Sequence, residues 1–224
     1  MKIWLEMTYK TKQNTETTFV SEEMTVEEAL EVAEDLLMTG RVKHLVYVDE
    51  QGTSVKKKEL ETYVKGVQTE PHAITVYFDG GYEKYTRRAG LGCAIYYRQH
   101  GRNYRIRKNA LVTAIDSNNE AEYAALHLAA KELEALGAHH LPIDVKGDSH
   151  VVIKQLAGEW PSYEPELNRW ADRIDEKFAD LGLLPTYELI DRKDNQEADK
   201  LATQALEGIE IESEREVKPR EEDV

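Results

Sequence analysis

The stretch ITVYFDGG at residues 74–81 decides how this chain folds. Ile74, Val76 and Phe78 alternate with Thr75, Tyr77 and Asp79, so the segment reads as a strand with one wholly apolar face. Asp79 ends that strand on the other face. Gly80 and Gly81 follow, and they permit either a turn or the close approach of another backbone. An aspartate before glycine at a strand end is most often a turn residue, so Asp79 gains meaning only from its surroundings. Strands come next at GCAIYYR (92–98) and YRIRKNALV (104–112), then a long helix from about 119 to 136 and a strand at IDVKGD (143–148). Helices at 151–160 and about 165–181, a strand at TYELI (186–190) and a helix at QEADKLATQALEG (196–208) complete the series. This order predicts an α/β domain over 73–208, a mixed five-stranded sheet flanked by helices.

Three more acids fall at telling places. On the long helix Glu122 heads a stripe with Leu126, Ala129, Leu133 and Leu136 that faces the sheet. A carboxylate there is costly unless a cation stands beside it. Glu120 lies well round the helix and is expected in water. Asp148 ends the strand 143–148, and its ordinary role would be to cap the helix that starts at Ser149 or His150. Asp199 lies in the first turn of the last helix, where an acid ordinarily interacts with the helix dipole. Each ordinary role is adequate singly; the four acids in this order call for a common explanation.

The motifs FDGG (78–81), SNNEAEY (117–123), GDS (147–149) and NQEAD (195–199) closely resemble those of type 1 ribonuclease H, and the order of elements is that family's. The resemblance runs over residues from about 72 to 207. It implies a ribonuclease H-like fold and an endonuclease that hydrolyses the RNA strand of RNA–DNA hybrids by two-metal-ion catalysis, leaving 5′-phosphate and 3′-hydroxyl ends. Asp79, Glu122, Asp148 and Asp199 match the family's four catalytic, metal-binding carboxylates. The implied cofactor is a pair of Mg2+ ions, with Mn2+ as a substitute, and hard cations of this kind take carboxylate oxygens. Asn118 and Asn119 match the paired asparagines that read the hybrid's minor groove, where the 2′-hydroxyl distinguishes RNA. Ser117 matches the hydroxyl residue that grips a DNA-strand phosphate. Gly80, Gly81, Ser149 and His150 complete the implied substrate-binding set.

The chain departs from the family pattern in three places. His150 follows Ser149 where glutamine is common, DRKDNQ (191–196) lacks the histidine many relatives carry before the last aspartate, and no lysine run stands between Trp160 and Trp170. These departures predict slow or manganese-favouring turnover. They keep open an alternative, a weakly active or inactive module of the same fold that binds nucleic acid or protein. Proofreading exonucleases of this superfamily start from Asp-x-Glu, which Asp79-Gly80-Gly81 does not match.

Toward the N-terminus, Ile3, Leu5, Met7 and Tyr9 alternate as in a half-buried strand, with a hairpin partner at Thr17–Val20. Thr25 and Glu28 form a capping box ahead of a helix whose stripe is Val26, Ala29, Leu30, Ala33, Leu36 and Leu37. HLVYV (44–48) and a weaker strand near Ser54–Val55 follow. Residues 1–65 thus form a small α+β accessory domain, 66–72 a linker, and the charge-dense 209–224 an acidic disordered tail. Net charge is −14, with 9 basic against 14 acidic residues in 1–70. That balance disfavours the accessory domain as a duplex clamp, and favours self-association or a protein partner. A basic stretch from Lys84 to Lys108 reads equally as a phosphate-binding face or as solvated strand positions. Cys93 is the single cysteine, which excludes a disulfide framework and a thiolate zinc site. No apolar run is long enough to span a bilayer, and the N-terminus lacks a signal-peptide pattern; the expected location is the cytoplasm.

Overall fold

The computed structural model describes residues 1–218. It divides into two compact units, Met1–Thr69 and a second that begins at Glu70.

In the first unit, β1 (Lys2–Lys10), β2 (Glu16–Val20), β3 (Met24–Thr25), α1 (Val26–Met38), β4 (Val42–Asp49), β5 (Ser54–Val55) and α2 (Lys57–Thr69) follow in order. The antiparallel sheet runs β2-β1-β4-β5, with β3 also on β1. Its core joins Ile3, Leu5 and Tyr47 to Val26, Ala29 and Ala33 of α1 and Leu60 of α2. The expected capping box is present: Thr25 Oγ1 accepts from Glu28 N at 3.2 Å while Thr25 N donates to Glu28 Oε2 at 2.8 Å. Helix α2 is a correction, because the stretch read as the domain's end and a linker is helical through Thr69. With Leu60 fully buried and Val64 packed beside it, the charged sequence offers one narrow apolar seam, too sparse to mark a helix by pattern. Lys57 and Lys58 open this helix.

The second unit contains β6 (His72–Glu83), β7 (Arg88–Gln99), β8 (Arg102–Thr113), α3 (Asn118–Leu136), β9 (Pro142–Gly147), α4 (His150–Leu156), α5 (Pro165–Asp180), β10 (Leu184–Leu189), α6 (Gln196–Leu206) and β11 (Glu212–Val217). The mixed sheet is ordered β10-β9-β6-β7-β8-β11, with β9 parallel to both β6 and β10. Ile74, Val76 and Phe78 pack into the main core with Leu126, Ala129 and Leu133 of α3. Tyr77 and Ala94, on the opposite face, pack against Ala198 and Leu201 of α6. Helices therefore cover both faces of the central strands, and charged groups at those strand ends come under buried conditions.

Two expectations are overturned by β11. The sheet has six strands rather than five, and the tail read as disordered contributes the sixth. Its glutamates find cationic and phenolic partners on the neighbouring strands instead of an apolar core: Lys108 meets Glu212 at 2.5 Å, Arg102 meets Glu216 at 3.1 Å, and Tyr97 donates to Glu214. Buried Asn109 clamps the approach to the strand, its Oδ1 accepting from Ile211 N at 2.7 Å and its Nδ2 donating to Ile209 O at 2.9 Å. Residues 219–224 of the expected tail lie outside the described residues. The basic stretch is largely occupied internally: Arg105 and Arg107 pair with Glu197 at 2.9 and 3.1 Å, Arg87 with Asp116, and Arg88 donates to Leu206 O at 2.8 Å. Among the described residues, no helix is long and apolar enough to cross a membrane.

Candidate active site

Asp79 lies within β6, four residues before its end, and is buried, at 9% exposure. The strand does not turn at the glycines but continues to Glu83. Because Gly80 has no Cβ, the backbone of Ala121 and Glu122 rests directly on it, where any side chain would collide. The contact fixes the start of α3 and lets Gly80 N donate to Glu122 Oε2 at 3.1 Å. Gly81 instead faces Leu206 and Ala202 of α6. The substrate role implied for these two glycines is thus overlaid by a packing role in seating the two helices.

On the other face α6 lies hard against β7. Gly92, the ladder partner of Asp79, leaves room for Ala198 and Ala202, whose backbone a Cβ would strike. That approach, which the sequence reading missed, brings Asp199 to Asp79. Asp148 follows the end of β9, which runs parallel beside β6. It does not cap α4; Ser149 does, its Oγ accepting from Val152 N at 3.5 Å. Asp148 Oδ1 accepts instead from Asn195 Nδ2 at 2.7 Å. Asp199 Oδ1 accepts from Arg192 Nη2 at 2.9 Å.

The neighbouring acids bear electrostatically on Asp79 and Glu122. Burial first, then repulsion from Asp148 and Asp199, pushes the Asp79 carboxyl from an ordinary 3.8 to about 7, with Arg192 opposing. Burial first, then Asp79 and Asp148, pushes Glu122 from 4.5 to about 9 against the Gly80 N–H and Arg192. Desolvation and like charge both favour the protonated form here. Among the described residues, no three acids, histidines or cysteines stand close enough to enclose an ion by themselves.

Ser117 caps α3, accepting from Glu120 N at 3.1 Å, and so aims Asn118 and Asn119, exposed and half-buried, along the helix's first turn. His150 is exposed at the start of α4. Glu120 is not free in water: it accepts from Asp116 N at 2.8 Å and from Trp170 Nε1 at 3.1 Å, tying the turn to α5. Asn195 was also missed. An asparagine at a helix start ordinarily caps it, but this side chain makes no cap bond and is 1% exposed.

A mixed sheet with β9 parallel beside the first strand, helices on both faces and acids gathered at one end of the central strands defines a ribonuclease H-like fold. The chain belongs to the type 1 ribonuclease H family: the family model described as "Reverse transcriptase-like" matches residues 77–205, more than half its length. The chain is 44% identical over 214 residues to "Uncharacterized protein YpeP" of Bacillus subtilis, covering 95% of this chain and 94% of that one, so the likeness takes in both units. It is 37% identical over 94 residues to "Ribonuclease HI" of Halobacterium salinarum, 41% of this chain and 44% of that protein. Among solved structures, RNase H1 of that archaeon aligns at a TM-score of 0.52 and 27% identity, over 60% of this chain and 98% of the other. LC11-RNase H1, solved in complex with RNA/DNA hybrid, aligns at 0.52 and 25%, over 60% and 97%.

Proposed function

We propose that this protein is an endonuclease that hydrolyses the RNA strand of RNA–DNA hybrids, with Asp79, Glu122, Asp148 and Asp199 as ligands for two divalent cations, Mg2+ or Mn2+. The observation that carries the reading is a cluster of acids with two of its members buried: Asp79 and Glu122 lie beneath the surface, Glu122 held by the Gly80 N–H, and Asp148 is held by Asn195. Such a cluster destabilises the fold unless cations neutralise it. The donors fit hard ions, being carboxylate oxygens throughout. Magnesium usually takes one or two carboxylates and fills its shell with water and phosphate oxygens.

When bound, the ions supply a nucleophilic water at neutral pH and charge relief at the leaving 3′-oxygen. The protein's own part is positioning. Asp79 and Glu122 are held on packed backbone, one by the β6–β7 ladder and the other by the Gly80 N–H. Ser117, Asn118 and Asn119 present a hydroxyl and two amides at an exposed helix start, groups able to hold a phosphate and read a 2′-hydroxyl. Ser149 and His150 offer further polar contacts at the end of β9. Products with 5′-phosphate and 3′-hydroxyl ends follow when water attacks phosphorus and the P–O3′ bond breaks, the 3′-oxygen leaving with a proton. The proposed location is the cytoplasm.

A second reading, a weakly active or inactive module that binds nucleic acid or protein, is favoured by the Arg192–Asp199 ion pair, which gives one proposed ligand a cation of its own. A 5′-labelled RNA–DNA hybrid, single-stranded RNA and duplex DNA, each incubated with magnesium and with manganese, separate the two. Internal cuts in the hybrid's RNA strand are expected; binding without cutting in either metal overturns the nuclease.

A further inference from the structure

Asn195 makes contact with three of the four elements that carry the acids. Its Nδ2 donates to Asp148 Oδ1 at 2.7 Å and to Phe78 O, the residue before Asp79, at 2.9 Å. Its backbone O accepts from Asp199 N at 3.1 Å, and its backbone N donates to Arg192 O at 3.2 Å. The short 3-10 turn Arg192–Asp194 thus turns Asn195 inward, while Arg192, three residues earlier, reaches Asp199 from the solvent side. The residue is 1% exposed, and its Oδ1 is buried with no protein partner among the described residues. A side chain kept only to fill space would be apolar here, because a buried acceptor left unpaired costs stability. A side chain kept only to start α6 would make a cap bond, which this one does not.

We infer that Asn195 is a positioning residue for the cation site: its amide fixes the rotamer of Asp148 against the strand bearing Asp79. It also ties the Arg192 turn and the start of α6 to that same strand. Both Nδ2 hydrogens are committed, one to a strand carbonyl and one to the carboxylate, so the Asp148 oxygens are set relative to the β6 backbone rather than to solvent. Partners that orient a metal-binding side chain in this way typically change metal affinity or activity by ~10–100-fold when removed. This inference rests on the proposed cation site, and it assigns no contact between Asn195 and the nucleic acid.

The test uses the full chain with Asn195→Ala and with Asn195→Ser, the second retaining one small polar group should alanine fail to fold. Magnesium and, separately, manganese are titrated against the melting temperature of each protein without nucleic acid. Hybrid affinity is measured in calcium, and kcat and KM in magnesium. In the variants we expect the metal concentration for half-maximal stabilisation to rise about tenfold or more. We also expect kcat to fall while hybrid affinity stays within about twofold. In an Asp148→Asn background the Asn195 substitutions should no longer change the metal dependence, because the residue acts through that carboxylate. A variant that melts lower but keeps the wild-type metal midpoint overturns the inference and leaves the nuclease reading standing. A wild-type protein whose melting temperature ignores both metals overturns the two together.

Discussion

Replacing Glu122 with glutamine should stabilise the metal-free protein, by an amount that grows with pH. Glutamine keeps the shape of the side chain and an oxygen for the Gly80 N–H, and it removes the charge. Burial and the neighbouring acids lift the Glu122 carboxyl from 4.5 to about 9. Below pH 4.5 the group is protonated folded or unfolded and contributes no difference. Above it the unfolded chain releases the proton while the native state retains it, so stability falls as pH rises until about 9. The loss is ~1.4 kcal/mol per pH unit, giving a ceiling of about 3 kcal/mol at pH 7 before relaxation and water entry reduce it. For a chain of this size that is a rise of about 5–10 °C in the variant's Tm. Asp79, lifted to about 7, adds to the wild-type slope in the same direction up to that pH. The assay is a set of circular dichroism melts in chelator between pH 4.5 and 8, repeated with 10 mM magnesium (a concentration chosen as roughly saturating for millimolar binding). We expect coincident melts at the acid end, a widening gap toward pH 8, and a gap that narrows with magnesium as the wild type gains. A variant less stable than wild type at pH 8, or a gap that does not change with pH, would refute the electrostatic reasoning.

Three further outcomes follow from particular contacts. Tyr97→Phe removes the phenol that holds Glu214 of β11 and should cost ~1 kcal/mol, seen as a drop of a few degrees in Tm; an unchanged Tm means β11 is not docked through that contact. Deleting residues 209–224 should lower Tm further, because the outer edge of β8 loses its ladder and Asn109 loses two of its partners. A protein beginning at Glu70, where the second unit starts, should keep hybrid affinity within about tenfold, ~1.4 kcal/mol, of the full chain when measured in calcium at two salt concentrations. The first unit displays Glu27, Glu28, Glu31, Glu34 and Asp35 on exposed positions of α1, which suits a protein partner or self-association better than a duplex. A larger loss with a shallower salt slope would make that unit a substrate clamp.

The parts of the fold legible in the sequence are those where apolar periodicity and side-chain chemistry agree. The alternation in 74–79 and the stripe from Glu122 to Leu133 are buried as the pattern predicts, because one apolar face leaves little freedom in register, although β6 runs past Asp79 to Glu83. Elements stabilised by charge were not legible. Helix α2 buries Leu60 within a run of lysines and glutamates, and β11 docks through glutamates whose partners lie about 110 residues away in Tyr97, Arg102 and Lys108. The close approaches at Gly80 and Gly92 show in a sequence only as glycines; which backbone they admit is settled by the crossing of α3 and α6 over the sheet. Asn195 is a similar case, since its two acceptors, Phe78 O and Asp148, come from other elements.

The most direct test of the central claim is cleavage of an internally labelled RNA–DNA hybrid by the wild-type protein and by Asp79→Asn, each in magnesium, in manganese and in excess chelator. Internal cuts in the RNA strand are expected from the wild type in at least one metal and not in chelator, with loss of cutting in an Asp79→Asn protein that melts no lower than wild type. Cleavage that persists in chelator, or an Asp79→Asn protein that cuts at the wild-type rate, would contradict the claim.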